Sequence, residues 1–336
     1  MNSNKENSLK NDRPLKIYLG DLTYDTVTIS AESMPLNIGY VASYCKKQFG
    51  NNVEISLFKY INDLEKAIRE SSPDILGLSN YVWGKNVSYE MMNMMAEIDS
   101  DVLNVWGGPN FPIDFPSQKK FMERYKEVDI YVPTEGETGF SNVVKKVLES
   151  NSVDEVKQQI TRSPIDGCIS RNEQGQIQYT IPTVRISSLD EIPSPYLNGM
   201  MDKFFDGKLT PMLQTNRGCP FHCTFCTDGR DEVNKVNSFS IKRVQSEIQY
   251  IAEHAPKNTH SLHISDLNFG MYPRDIEICE SLVKIQEEFD YPKYIKCTTG
   301  KNQKDKIIKA IKRLNSSLRV TMSVQSLDSN VLNNIR

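Results

Sequence analysis

GCPFHCTFC, residues 218–226, is the stretch from which the rest of the chain can be read. It sets Cys219, Cys223 and Cys226 in a C-x3-C-x2-C array at the end of the segment PMLQTNR (211–217). Cysteine thiolates are the usual ligands of iron–sulfur centres, and three so close together can hold three irons of a cubane cluster. The fourth iron then has no protein ligand in this segment. An open metal corner can bind and activate another molecule.

Other uses of these thiols fit less well. A structural zinc site draws four ligands from paired clusters. The only near candidate here is His222, and its adjacency to Cys223 makes joint ligation awkward. Disulfides are disfavoured by an odd count of seven cysteines and by the lack of a secretory signal. Cys168 has no partner at useful spacing and reads as structural.

Composition narrows the class. At 336 residues the chain is long enough for two domains with their own cores. With 38% hydrophobic and 25% charged residues it reads as an ordinary soluble protein. The net charge of −3 argues against a general nucleic-acid or anionic-membrane surface. No apolar run approaches the roughly 18 residues that a membrane span needs. Residues 1–14 are polar and read as a disordered tail. Unpaired cysteines without an export signal point to the reducing cytoplasm.

Upstream of the array, residues 15–150 alternate strand and helix. The strand candidates are 16–22, 53–60, 74–83, 102–108 and 128–133, rich in Val, Ile and Leu as strands covered on both faces are. Helices are expected near 35–49, 61–71, 86–99, 116–127 and 138–150. In the third, Val87, Met91, Met94, Met95 and Ile98 share one helical face, which reads as core packing. Such alternation predicts a doubly wound parallel sheet, whose ligands sit at the carboxyl ends of the strands. Three turns lie at those ends. SNYVWG (79–84) reads as an exposed polar-aromatic turn. WGGPNFP (106–112) pairs two glycines with stiffening prolines. PTEGE (133–137) puts acids at a helix start, where the dipole favours them with or without a ligand. Each, taken alone, reads as a plain turn rather than a site.

Residues 151–210 break the rhythm and read as a linker. SRNEQGQIQY (170–179) suggests a hairpin around Gly175, and Pro182, Pro193 and Pro195 favour extended chain. From 211 the alternation resumes, with strands expected at 212–217, 261–266, 293–299 and 318–324. Ile241, Val244, Ile248 and Ile251 mark one amphipathic helix, and Ile307, Ala310, Ile311 and Leu314 another. Repeating βα units predict a barrel or partial barrel, and the cysteine loop follows its first strand, where chemistry belongs. His222, His254, His260 and His263 read as structural or surface residues.

The array, with Phe225 before its last cysteine, resembles the signature of the radical S-adenosylmethionine enzymes. MPLNIGYVASY (34–44), GGPNFP and EGE in that order resemble the cobalamin-binding domain that precedes the cluster in one class of them. The resemblance implies an α/β fold in two parts: a flavodoxin-like, cobalamin-binding type domain, then an incomplete (β/α)6 radical SAM partial barrel at 211–336. It implies that Cys219, Cys223 and Cys226 hold a 4Fe–4S cluster. Phe225, Asp266, Thr298, Ser323, Gln325 and Ser326 stand at positions that contact S-adenosylmethionine, although many members have glutamate where Gln325 stands. A turn or capping role for Asp266 is the alternative. Ser79, Asn80, Gly107, Gly108, Pro109, Glu135, Gly136 and Glu137 are the implied cobalamin contacts.

One departure is clear: residues 1–150 contain no histidine, so no axial histidine comes from this domain. Four βα units are visible where the family builds six, so the chain is expected to be a fragment of a longer reading frame. The implied function is a cobalamin-dependent radical enzyme that methylates a poorly activated carbon of a small molecule, with a flavodoxin or ferredoxin as electron donor. A radical cyclase or rearrangement enzyme, or a non-catalytic iron–sulfur or corrinoid-binding protein, is the alternative.

Overall fold

The computed structural model describes residues 13–25, 32–180, 182, 184–300, 302–314, 317–318 and 325–335. The chain divides into two compact units, Met1–Arg185 and Ile186–Arg336.

The first unit alternates as its sequence predicts: β1 (Leu15–Thr23), α1 (Leu36–Phe49), β2 (Val53–Tyr60), α2 (Ile61–Glu70), β3 (Ile75–Ser79) and α3 (Lys85–Ile98). It continues with β4 (Leu103–Gly107), α4 (Phe115–Arg124), β5 (Ile130–Val132), α5 (Gly136–Leu148), α6 (Val153–Arg162), β6 (Ile169–Arg171) and β7 (Ile177–Tyr179). The seven strands form one sheet in the order β2-β1-β3-β4-β5-β6-β7. The first five run parallel, while β6 and β7 pair antiparallel. Every residue of β3 and β5 is buried, as strands covered on both faces must be.

Trp106 on β4 is fully buried and is ringed by Tyr89, Phe121, Tyr125 and Tyr131, with centroids 5.1–6.4 Å away. Aromatic neighbours at such separations add to the burial of their surface. The methionine helix buries Val87, Met91, Met92 and Met95, whereas Ile98 is 42% exposed. The stripe is thus rotated from the expected face: Met92 replaces Ile98, because MMNMM offers two adjacent apolar faces to choose between.

Two features were not anticipated. Helix α6 lies in the segment read as linker; Ser152 accepts from the Glu155 amide at 3.1 Å, the capping-box spacing. The hairpin expected around Gly175 forms, and, unforeseen, it pairs with β5 and extends the sheet. Its Arg171 donates to the carbonyls of Met122, Tyr125 and Val128 at 2.6–2.7 Å, serving carbonyls around the end of α4 that have no helical partner.

The second unit contains β8 (Met212–Leu213), β9 (Asn216–Arg217), β10 (Asn237–Ser238), α7 (Ile241–His254), β11 (Ser261–Phe269) and α8 (Arg274–Phe289). These are followed by β12 (Tyr294–Thr299), α9 (Lys304–Lys312) and α10 (Ser329–Ile335). Strands β8, β11 and β12 form a parallel sheet in the order β12-β11-β8, and β9 pairs with β10. Leu318 bridges to Ile295 in parallel, but most of the strand expected at 318–324 lies outside the described residues, as do residues 1–12. Ser240 caps α7 by accepting from the Arg243 amide at 3.2 Å.

Candidate functional site

In the first unit the chain crosses from one side of β1 to the other when it passes from β2 to β3. That reversal is the switch point at which open parallel sheets hold ligands. The turn after β3 lies beside it, followed along the sheet edge by the turns after β4 and β5. They are fixed by a buried amide network. Asn80 is fully buried; its Nδ2 donates to the Asn110 carbonyl at 2.8 Å and to the Tyr131 hydroxyl at 3.0 Å. Asn110 returns a bond to Asn80 Oδ1 at 3.1 Å. The Tyr131 hydroxyl donates to the Gly108 carbonyl at 2.8 Å, and burial pushes its titration well above the ordinary tyrosine range. Gly108 has φ +125°, and a Cβ there would lie 3.0 Å from the Asn80 carbonyl oxygen, so only glycine suits the turn.

Ser79 is held on both its sides. Its hydroxyl accepts from Asn37 at 2.9 Å, and its carbonyl accepts from Ser88 at 3.1 Å and from the Trp106 indole at 3.3 Å. The SNYVWG turn is therefore only partly the exposed turn the sequence suggested. Val82 and Trp83 are 72% and 51% exposed, but Asn80 is a buried anchor. Gly107 and Gly108 are half-buried and Pro109 is exposed. Glu135 accepts from Arg185 at 2.7 Å, Gly136 opens α5, and Glu137 is buried in its first turn.

In the second unit the cysteine loop follows β9. Gly218 enters it at φ +108°, where a Cβ would collide with the Lys235 carbonyl. Below it, β11 buries alternate residues: Leu262 and Ile264, then Asp266 and Asn268. That face turns from apolar to polar at the strand's carboxyl end, where the register against β12 shifts between Ile264 and Phe269. Irregular pairing of this kind re-aims side chains beside sites.

The Asp266 carboxylate accepts from the Thr215 amide at 2.7 Å, from the Asn216 side chain at 2.8 Å and from the Asn216 amide at 3.3 Å. The Thr215 hydroxyl donates to it as well. Burial nevertheless dominates and pushes the Asp266 carboxyl up to about 6, against the lowering effect of these donors. Two residues on, Asn268 Nδ2 donates to the Cys219 Sγ at 3.3 Å. Tyr272 stands nearby; burial first, and the neighbouring Cys219 second, raise its phenol to about 12.

Cys223 is buried and Cys219 and Cys226 are half-buried, and none of the three is in a disulfide. Among the described residues no three His, Cys, Asp or Glu side chains are gathered tightly enough to hold a single metal ion. The fit of an iron–sulfur cluster therefore rests on the donor set: three thiols outside any disulfide on one short loop, the first accepting from a buried amide.

The other sequence candidates lie on the loop itself, at the end of β12 and ahead of α10. Phe225 is 60% exposed on it. Thr298 is exposed at the end of β12, beside buried Thr299. Gln325 is exposed, and the Ser326 hydroxyl accepts from the Asp328 amide at 3.0 Å ahead of α10. Ser323 lies outside the described residues. His222 is exposed beside Asp231 at 3.4 Å. Among the described residues no helix is long and apolar enough to cross a membrane. Asn110, Tyr131 and Asn268 are site residues that sequence reasoning does not single out. Asn110 sits inside the quoted GGPNFP and Asn268 two residues past Asp266, which were the available signals.

Comparison with known proteins gives the same two-part division. Residues 24–144 match the family model described as B12 binding domain, and residues 213–336 match the Radical SAM superfamily. The 2-(S-pantetheinyl)-carbapenam-3-carboxylate methyltransferase of Streptantibioticus cattleyicolor is 31% identical over 312 residues, 89% of this chain and 44% of that protein. The cobalamin-dependent radical SAM methyltransferase TokK of Streptomyces tokunonensis is 29% identical over 315 residues, with the same coverage of 89% and 44%. This chain thus spans less than half the length of either relative. Among solved structures, the cobalamin-dependent S-adenosylmethionine radical enzyme OxsB, with aqua-cobalamin and S-adenosylmethionine bound, superposes with a TM-score of 0.68. That match has 20% identity and covers 96% of this chain and 45% of OxsB, a likeness of fold.

Proposed function

We propose, from the premise that the chain belongs to the radical SAM superfamily and to its class with an N-terminal B12-binding domain, that it serves a cobalamin-dependent radical methylation of a poorly activated carbon. The observation that carries this reading is the C-x3-C-x2-C loop, anchored to the polar end of β11, in a chain whose other unit is a B12-type sheet. When bound, the cluster and S-adenosylmethionine supply a 5′-deoxyadenosyl radical and cobalamin carries the methyl group.

The chain's own residues hold and shield these groups. Cys219, Cys223 and Cys226 bind the cluster. Phe225, Thr298, Gln325 and Ser326 line the S-adenosylmethionine side, and Asp266 supports that site from beneath through Thr215 and Asn216. At the first sheet's edge, Ser79, Asn80, Gly107, Gly108, Pro109, Glu135, Gly136 and Glu137 form a backbone-rich rim suited to a ligand bordered by carboxamides. No histidine of the first unit reaches a cobalamin there, since the chain's histidines all lie beyond residue 221. The electron donor is a low-potential flavodoxin or ferredoxin, the substrate a small molecule, and the compartment the reducing cytoplasm.

Anaerobic reconstitution of the chain with iron, sulfide and hydroxocobalamin tests the reading. About four irons per chain and a retained corrin spectrum after desalting are expected. Both should respond to their own sites, iron falling to background in Cys219→Ala while the corrin spectrum stays. With methyl-labelled S-adenosylmethionine and, as trial acceptor, the 2-(S-pantetheinyl)-carbapenam-3-carboxylate for which one relative is named, label in that acceptor supports methyl transfer. Deoxyadenosine without label transfer would instead indicate a cyclase or rearrangement enzyme, and iron at background in the unaltered chain overturns the proposal.

A further inference from the structure

The polar end of β11 does more than fill the core beneath the cysteine loop. Asp266 and Asn268 lie two residues apart on one strand face and are 2% and 3% exposed. Asp266 binds Thr215 and Asn216, just ahead of the loop, and Asn268 binds the loop's first cysteine. The segment from 215 to 219 is therefore tied at both ends to the same face of one strand. A buried side chain with its amide aimed at a sulfur 3.3 Å away has few other rotamers open to it.

We infer that Asn268 is a positioning residue for the cluster: its side-chain N–H holds the Cys219 sulfur and favours the reduced cluster by hydrogen bonding to a ligand thiolate. The inference rests on the proposed function and deepens it at one ligand. Its physical basis is that reduction adds an electron to the cluster and so increases negative charge on the ligand sulfurs. A donor to such a sulfur is bound more strongly in the reduced state, and hydrogen bonds to cluster sulfurs are one of the levers that set potential. The bond is charge-assisted and sheltered from water, which strengthens it. An asparagine supplies this without a charge of its own, whereas an aspartate there would set a second carboxylate beside Asp266 and the thiolates.

The test is an anaerobic redox titration of the reconstituted full chain, followed by electron paramagnetic resonance of the reduced cluster, for the unaltered protein, Asn268→Leu and Asn268→Asp. Removing the donor is expected to lower the ratio of reduced to oxidised cluster about tenfold at a fixed poise, a fall of about 59 mV for one electron. The aspartate is expected to lower it further. Asn268→Ser, a shorter side chain that keeps an O–H donor, replaces either variant if that variant fails to fold, and its midpoint is also expected below the unaltered one. A purely structural asparagine would change thermal stability or iron content but leave the midpoint where it was. An unchanged midpoint in every variant that holds a cluster overturns the inference. Iron and sulfide at background in the unaltered chain would instead sink the proposed function.

Discussion

The ligand-end turns of the first unit and the cysteine loop of the second are built on opposite plans. In the first unit the turns lock one another: Asn80, Asn110 and Tyr131 exchange hydrogen bonds across three strand ends, and Gly108 lets two backbones touch. The edge is thus ordered by its own buried side chains and backbone. In the second unit the reactive thiols sit on a loop with exposed members such as His222, Thr224 and Phe225, held chiefly from below. Shape is stored in the first region and chemistry in the second. The first region is ordered by its own side chains, whereas the cysteine loop borrows order from the strand beneath and, through Thr224, from the end of α10.

The first effect expected from this contrast is at Gly108. Alanine there meets both a φ of +125° and the Asn80 carbonyl, and such strain costs of order 1–3 kcal/mol. Urea unfolding of Gly108→Ala should show that loss with iron binding unaltered. A simultaneous loss of iron would mean that the two regions are not independent.

Asp266 sharpens the comparison from the other side. Its carboxyl titrates near 6 in the folded chain against an ordinary 3.8, so its contribution to stability is full below pH 3.8 and fades as the pH rises through 6. The span corresponds to about 3 kcal/mol. The stability gap between the unaltered chain and Asp266→Asn should therefore be widest near pH 4 and narrow toward pH 7. A gap that widens with pH would show that its four donors, not its burial, govern the group. The smallest effect is expected at Tyr131→Phe, which removes the acceptor for Asn80 and the donor for Gly108 and should cost about 1–2 kcal/mol in the same unfolding measurement.

Most strands and helices of the first unit were legible because runs such as VEISLFKY and DILGLSN are rich in Val, Ile and Leu and stand between turn signals, whereas the single strand expected at 212–217 is divided into β8 and β9. The strand-end turns and the cysteine array were legible for the same local reason. What could not be read is what depends on distant partners. Asn80 looks like an exposed turn residue until Asn110 and Tyr131, 30 and 51 positions away, are brought to it. Asp266 could be placed at a strand end, but its grip on Thr215 and Asn216 spans 50 residues and more. Asn268 carried no pattern of its own. The rotated methionine face is a different kind of miss: with four methionines in five positions, periodicity alone leaves the direction of the stripe open. Helix α6 was within reach, since Ser152 and Glu155 stand at capping-box spacing.

The hairpin at the far edge of the first sheet has a consequence for how this unit could be moved between proteins. Arg171 serves the end of a helix some 50 residues earlier in the chain, and β6 covers the open side of β5. A transplant cut just after α5 would strand those carbonyls and bare a strand edge prone to pairing with neighbours. The smallest portable piece is thus the five parallel strands together with the appended ribbon that finishes them.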